Sequence, residues 1–226
     1  MRTVEELIKA IHEEALLADF PVDEPVYERA GKDPKRPILF AGSLDAPICA
    51  FARDLGKDEV LAGQPMIGAA GRLVRSGVHQ AALGKPPPAS DRQILGALEH
   101  ILLTNTVPYK PPGNKAYAES VKKRFRPFLA EFLTVQWKGK RVLCLGTEAF
   151  HWFDPYAGGA ASEFWKRDDR YEAELPCEIV AQTDEGEVRK PILLCPLPHP
   201  SPLNQRWYPL FPKLLAGRLE RVWPGE

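Results

Sequence analysis

An acidic side chain follows directly after a predicted buried strand in the first quarter of the chain. Residues 48–52 form an apolar run, Asp54 comes two positions later, and a polar loop punctuated by glycines then extends to Gly71. In open α/β sheets, ligands bind at the carboxyl ends of the strands, where the loops leave a crevice. We therefore predict that Asp54 takes part in catalysis.

Two further polar side chains follow apolar runs. Asn105 ends the run HILLTN, and the prolines after it cannot continue a central strand. Its amide offers both a donor and an acceptor, although asparagine is also an ordinary turn residue. His199 lies between Pro198 and Pro200, so stiff extended backbone aims its ring. Asn105 and His199 are candidates to bind a ligand.

Three stretches of the chain resemble the uracil-DNA glycosylase superfamily. Two stretches look like motifs of its iron–sulfur branch, family 4: GKDEVLAGQPMIGAAGRLV and LTNTVPYKPPGN. The third, HPSPL, resembles the last motif of several branches. Arg53-Asp54-Leu55 is more similar to the Gln-Asp-Pro of family 1, so the acid falls on a different residue than in family 4. The resemblance covers residues 37–215 and implies catalysis by Asp54 and His199.

The resemblance also implies which residues bind the base. It places Asn105 on the asparagine that recognises uracil, Asn114 on a second asparagine of that motif, and His199 on the histidine that donates to uracil O2. An amide donor and acceptor match N3–H and O4 of uracil and mismatch cytosine. Arg53 belongs to the same group of substrate-binding candidates, because it precedes the acid in the family 1-like motif.

Two positions of the predicted base pocket depart from the family patterns. Gly56 stands where family 1 has a tyrosine that blocks the 5-methyl group of thymine, and Met66 stands where family 4 has a stacking phenylalanine. Methionine can pack on the face of a base but is flexible and fixes it less firmly. We therefore predict a pocket that is less strict toward the base.

The last motif predicts DNA contacts. Leu203 follows its final proline, at the position where the family inserts a leucine into the duplex to offset unstacking of the flipped nucleotide. Ser201 and Arg206 flank this residue and are the other DNA-binding candidates, with Arg206 placed to contact a phosphate.

No metal or other cofactor is expected. At two positions where family 4 has cysteines that bind its iron–sulfur cluster, this chain has Tyr109 and Phe125. Its four cysteines form no C-x-x-C pair, and three lie in apolar runs that predict buried positions: Cys49, Cys144 and Cys195. His79 and His100 have no partner at ligand spacing.

Composition fits one globular domain spanning residues 1–226, with 44% hydrophobic and 27% charged residues. The formal net charge is zero, a mild argument against DNA binding, but basic residues concentrate between Lys110 and Arg126. That segment is either a solvated helix face or a local footprint on phosphates. With no signal peptide or 18-residue apolar run, we expect a cytoplasmic monomer that does not contact a membrane.

Alternating helical and strand patterns predict an α/β fold, a three-layer α/β/α sandwich around a mostly parallel central sheet. Residues 3–18 have the spacing of an amphipathic helix that begins with a Thr3–Glu6 capping box, and residues 115–136 predict a long helix. Three segments rich in turn residues or without periodicity are expected to be irregular: residues 19–37, 76–90 and 154–176.

The predicted function is excision of uracil from DNA by hydrolysis of the N-glycosidic bond, with DNA containing uracil or another damaged base as the partner. Two alternatives remain at this point. The enzyme could act on hypoxanthine, xanthine or mispaired thymine, or the chain could be a damaged-DNA or nucleobase-binding protein without activity. An acid at Asp54 favours an enzyme, because a binding protein has no need for it.

The residues at the positions of the family 4 iron–sulfur ligands give a first testable prediction. We expect the purified protein to be colourless and to keep its activity in chelator, because Tyr109 and Phe125 provide no thiolate ligands. Iron analysis and a visible absorption spectrum check this. Stoichiometric iron with an absorption band in the visible range would contradict it.

Overall fold

A mixed β-sheet lies at the centre of the computed structural model, which describes residues 1–113 and 115–223. Its strands are β1 (Phe40–Gly42), β2 (Ile48–Ala52), β3 (Ile101–Asn105), β4 (Arg141–Leu145), β5 (Leu175–Thr183) and β6 (Gly186–Leu197). They lie in the order β1-β3-β2-β4-β6-β5. The four inner strands are parallel to one another and only the edge strands β1 and β5 pair antiparallel. The prediction of a mostly parallel sheet is confirmed.

Helices lie before β1, in the connections from β2 to β3, β3 to β4 and β4 to β5, and after β6. The α-helices are α1 (Val4–Leu17), α2 (Glu24–Arg29), α3 (Lys57–Ala62), α4 (Ala69–Leu83), α5 (Glu119–Glu131), α6 (Thr147–His151), α7 (Ala160–Trp165) and α8 (Phe211–Leu219). Short 3₁₀ segments span Leu95–Glu99, Asp154–Tyr156 and Tyr208–Leu210, and a π-helical turn spans Phe132–Gln136. Within the described ranges, no helix combines the length and apolar character needed to cross a membrane.

The sheet separates two hydrophobic layers, because successive side chains of a strand point to opposite faces. From β2, Ile48 and Ala50 join the layer formed with α4 and α8, whereas Cys49 and Phe51 join the layer formed with α1, α5, α6 and α7. The three-layer α/β/α prediction is therefore confirmed. The predicted capping box also forms, with the Glu6 N–H donating to Thr3 Oγ1 (3.2 Å) and the Thr3 N–H donating to Glu6 (2.7 Å).

The prediction that residues 76–90 are irregular is wrong for its first half. Helix α4 continues to Leu83 and ends at Gly84, which has the left-handed conformation of a helix cap. The turn residues of this stretch, which include three successive prolines, favoured a loop, but Gly77 lies inside the helix and allows close packing there. A Cβ on Gly77 would lie 2.5 Å from Leu215 Cδ2 of α8.

The other two segments predicted to be irregular also contain helices. Residues 19–37 include α2, where Pro25 lies in the first turn, the position in which proline favours a helix. Residues 154–176 include α7. The helix predicted over 115–136 begins later, at Glu119, and Pro127 lies inside it without ending it.

Phe51 offers a test of the central layer. It is fully buried, and its ring centroid lies 5.0 Å from those of Trp152 and Phe153. Phe51→Ala is expected to lower the free energy of unfolding by about 3–5 kcal/mol, because it removes buried surface and leaves a cavity. Urea unfolding measures this, with the exposed Leu83→Ala as a control that changes stability by less than about 0.5 kcal/mol.

Candidate active site

A cleft of about 240 Å³ opens at the carboxyl ends of the parallel strands. The last residues of β2, β3 and β4 line its floor, and the loops that follow β2, β3 and β6 form its walls. This is the edge at which open α/β sheets bind ligands. Six of the predicted site residues meet here: Arg53, Asp54, Gly56, Met66, Asn105 and His199.

Asp54 is a buried carboxylate in this cleft. Its side chain is 3% exposed, and among the described residues neither oxygen has a hydrogen-bond partner. Arg53 Nε lies 3.1 Å from Oδ2, so the two groups form an ion pair. Burial raises the pKa of Asp54 to about 6, against the opposing positive charges of Arg53 and Lys122. Asp54 is therefore ionised at neutral pH and available to a ligand.

Backbone hydrogen bonds to the neighbouring strand fix the start of the Asp54 loop. The N–H of Thr106 donates to the carbonyls of Ala52 (2.9 Å) and Arg53 (3.0 Å), and its hydroxyl also donates to the Arg53 carbonyl. Asn105 lies directly opposite Ala52 in the parallel register of β2 and β3. This register places Asn105 and Asp54 on the same side of the cleft floor.

Asn105 is 2% exposed, and its side-chain oxygen Oδ1 has no hydrogen-bond partner among the described residues. A buried amide without a partner is unfavourable unless a ligand or water completes it. The side chain lines the cleft, so this unsatisfied acceptor is available to a ligand that enters there.

His199 enters the cleft from the loop after β6. Burial lowers its pKa, and the nearby positive charge of Arg53 lowers it further, so the imidazole is neutral at pH 7. Its backbone carbonyl accepts hydrogen bonds from the Ser201 N–H (2.9 Å) and Asn204 Nδ2 (3.2 Å). A neutral imidazole can donate one N–H to a bound base without adding a charge.

Gly146 supports His199, and the sequence interpretation missed it. Its φ of +92° is a conformation that side chains disfavour, and a Cβ there would lie 3.0 Å from His199 Cβ. The only signal in the sequence was a glycine between a strand and a helix, which is common in loops.

Glu59 has a structural role in the cleft wall. Its Oε1 accepts hydrogen bonds from the N–H groups of Ile67 (3.0 Å) and Gly68 (2.8 Å), and Oε2 accepts from Gly56 (3.0 Å). A Cβ on Gly56 would lie 2.5 Å from Glu59 Oε2, so a side chain there would displace the Glu59 carboxylate. Both carboxylate oxygens are therefore engaged by the loop, which leaves Asp54 as the acid that faces a ligand.

Met66 is buried in the cleft wall with a φ of +55°, unusual for a residue with a side chain. Gly71 passes so close that a Cβ would lie 1.9 Å from the Met66 carbonyl oxygen. Arg75, fully buried, donates to the carbonyls of Pro65 (2.9 Å) and Gln93 (3.0 Å) and so holds the chain next to Met66. Nothing in the sequence distinguished Arg75 from a surface arginine of α4.

Two of the three predicted DNA-binding residues lie beside the cleft. Ser201 and Leu203 line a depression that shares Arg53 and His199 with the cleft. The Leu203 side chain is 92% exposed, and its N–H donates to Ser201 Oγ (3.3 Å). Arg206 lies outside this depression, with its guanidinium 5.0 Å from the ring centroid of Trp207. Asn114, the remaining candidate, lies outside the described residues.

The basic segment is mostly engaged within the protein. Ion pairs join Lys110 to Asp23, Lys122 to Glu148, Arg124 to Glu14 and Arg126 to Glu119. Lys110, Lys122 and Arg126 are also buried, so neither a fully solvated face nor a broad phosphate footprint describes them. Lys115, by contrast, lines the cleft and is exposed there.

The positions of the family 4 cluster ligands do not fit an iron–sulfur cluster. Tyr109 and Phe125 are buried with Phe20, and ring centroids are separated by 5.1–5.3 Å. The Tyr109 hydroxyl donates to the Lys35 carbonyl (2.8 Å). All four cysteines are buried elsewhere, and the described residues contain no cluster of potential metal ligands.

The sheet topology and the edge cleft define an α/β protein whose ligand site holds a buried acid, an amide and an imidazole. Residues 40–222 match the family model described as the uracil DNA glycosylase superfamily. The chain belongs to this superfamily, and membership implies a DNA substrate and indicates a DNA glycosylase. No curated protein matches the chain.

Burial of Asp54 predicts that Asp54→Asn stabilises the fold at pH 8. The pKa of Asp54 is about 6 in the folded protein and about 3.9 in an unfolded chain. The folded state therefore binds more protons between these values, and the ionised carboxylate opposes folding above about pH 6. We expect a gain of about 1–3 kcal/mol at pH 8 that disappears below about pH 4. Urea unfolding at both pH values checks this, and equal stability at pH 8 would refute it.

Proposed function

We propose that this protein excises uracil from DNA, acting on a nucleotide flipped out of the stack. The observation that carries the proposal is the convergence of two buried groups without hydrogen-bond partners among the described residues, the Asp54 carboxylate and Asn105 Oδ1, on one cleft. Fixed polar groups whose atoms are not used in internal hydrogen bonds are suited to stabilising charge on a ligand, because they need not reorganise when it binds.

Asp54 acts on the sugar in this proposal. Cleavage of the N-glycosidic bond gives the sugar cationic character while the base leaves as an anion. A carboxylate held nearby stabilises the cation and orients the water whose oxygen bonds to the sugar carbon. The water's second proton passes to solvent, and the departing base is reprotonated there. Desolvation strengthens the electrostatic contribution of Asp54, since little water screens it.

Asn105 and His199 act on the base. The Asn105 amide accepts from N3–H and donates to O4, which favours uracil over cytosine. His199 donates an N–H to O2, where negative charge develops, and its lowered pKa keeps the ring neutral. Arg53 contributes a positive charge at the cleft that also favours the anionic base.

Leu203 contacts the DNA duplex in this proposal. A large apolar side chain that is 92% exposed and lies beside the cleft can fill the gap that a flipped nucleotide leaves. Ser201 lines the same depression and, like Arg206, is assigned to the DNA backbone.

The discriminating test compares three carboxylates that lie close together in the chain, Asp54, Asp58 and Glu59. Asp54→Asn is expected to reduce single-turnover excision of uracil by about 10²–10³ while retaining binding of the same oligonucleotide, because ground-state contacts to the base persist. Asp58→Asn, an exposed neighbour, should leave the rate unchanged, and Glu59→Gln should keep substantial excision since its oxygens hold backbone. Abasic-site formation under enzyme excess is the measurement.

The pH dependence provides a further readout in the same assay. The wild-type rate should rise through pH about 6 and then level off, because only ionised Asp54 stabilises the cationic sugar. Excision by Asp54→Asn at the wild-type rate would show that the acid is wrongly assigned.

Excision rates measured on oligonucleotides that contain uracil, hypoxanthine, xanthine or mispaired thymine identify the base on which the protein acts. If uracil is excised fastest, the proposal is supported. If another base is excised faster, that base is the substrate and the assignment of uracil is wrong. Selective binding without any excision would identify a binding protein instead.

A further inference from the structure

One wall of the cleft is held by residues that precede the family-matched region. That region begins at residue 40, and Pro111 and Gly113 of the loop after β3 line the cleft. Residues Lys110 and Gly113 of this loop form hydrogen bonds with Asp23, just before α2, and Lys110 also forms one with Tyr27 in α2. The N-terminal segment is therefore connected directly to the wall of the site.

Lys110 is the centre of this connection. Its side chain is 4% exposed, and its ammonium donates to three oxygens, those of Asp23 Oδ2 (2.6 Å), the Pro111 carbonyl (2.9 Å) and the Gly113 carbonyl (2.8 Å). An ammonium group has three N–H donors, so all of its hydrogen-bonding capacity is used. A charge this deeply buried is retained only with such compensation.

Asp23 binds the loop from the other side. The same Oδ2 accepts from the Gly113 N–H (3.2 Å), and the Asp23 N–H donates to the Lys110 carbonyl (3.0 Å). The Lys110 N–H in turn donates to the Tyr27 hydroxyl (3.0 Å). The hydrogen bond from Lys110 lowers the pKa of Asp23, which keeps it ionised down to acidic pH.

Among the residues that the structure describes, the loop has few other contacts that hold its shape. Pro111 and Pro112 have no N–H groups, so they cannot join a backbone ladder. The Pro111 and Gly113 carbonyls are instead satisfied by the Lys110 ammonium. The conformation of the cleft wall therefore depends on a side chain whose charge is balanced from outside the family-matched region.

We propose that Asp23 and Lys110 form a clamp through which the N-terminal segment positions the cleft wall, and that both are positioning residues for base excision. This inference rests on the proposed function and adds residues before position 40 to the active site. Neither side chain lines the cleft, so the clamp acts through Pro111 and Gly113.

Asp23→Asn tests the clamp. Amide hydrogen exchange at Lys110 and Gly113 is expected to accelerate by about 10-fold or more, because the loop opens more readily once its charge pair is broken. Single-turnover excision should fall by about 10- to 100-fold, the range expected when a reacting group is misplaced. Affinity for an undamaged oligonucleotide should change less than about 2-fold.

Two further variants separate positioning from stability. Glu14→Gln removes another ion pair between the N-terminal segment and the rest of the protein, Glu14–Arg124 (2.6 Å), and should change neither exchange at the loop nor excision. The double variant Asp23→Asn/Lys110→Met removes both charges while keeping similar volume, so it should fold even if a single variant does not. It is expected to show the same fast exchange and slow excision.

The outcomes are distinguishable from failure of the proposed function. Unchanged loop exchange in both clamp variants, or fast exchange with wild-type excision, would overturn the clamp. If the wild type excises no base, the proposed function fails. The clamp is then supported if its variants lose selective binding of uracil-containing over undamaged DNA, and it is overturned if they keep it or if the wild type shows no selectivity.

Discussion

A buried carboxylate at the end of a central strand is the constraint on which this site depends. Asp54 is nearly inaccessible to solvent and has no hydrogen-bond partner among the described residues. Burying a charge without a hydrogen bond opposes folding, and the large apolar layers on both faces of the sheet offset that free-energy penalty. Arg53 limits the penalty without occupying either oxygen through a hydrogen bond. The acid remains ionised at neutral pH and lines the cleft.

The walls of the cleft share a second physical feature. Their loops lack regular backbone pairing, and charged side chains that are buried or partly buried satisfy the backbone in its place. Glu59 accepts from three loop N–H groups, Arg75 donates to two carbonyls, and Lys110 donates to two more. Hydrogen bonds to charged groups are stronger than neutral ones, so few side chains suffice to fix irregular chain. These hydrogen bonds therefore hold the cleft walls in place without additional strands.

The region around Tyr109 shows how packing and polar contacts combine. Tyr109, Phe125 and Phe20 form an aromatic cluster where family 4 has cluster-binding cysteines. The Tyr109 hydroxyl is bonded to the backbone of residue 35. Lys110, the next residue, is bonded to Asp23. Both attachments lead to the segment before residue 40, which makes that segment part of the architecture of the site.

The sequence alone determined the fold class and the residues at the strand ends. Asp54, Asn105 and His199 follow apolar runs, and parallel strands bring such positions together at one edge, so their proximity followed from pattern and topology. Their proposed roles came from the family resemblance.

Tertiary structure decided the rest, because the missed features of the site depend on contacts that a local sequence pattern does not record. Gly77 belongs to a helix since it packs against Leu215, and Gly146 is required by the position of His199. The engagement of Glu59 by loop N–H groups and the pairing of Lys110 with Asp23 follow from how the chain folds back on itself. A sequence pattern records the type of a side chain, whereas its partner depends on the fold.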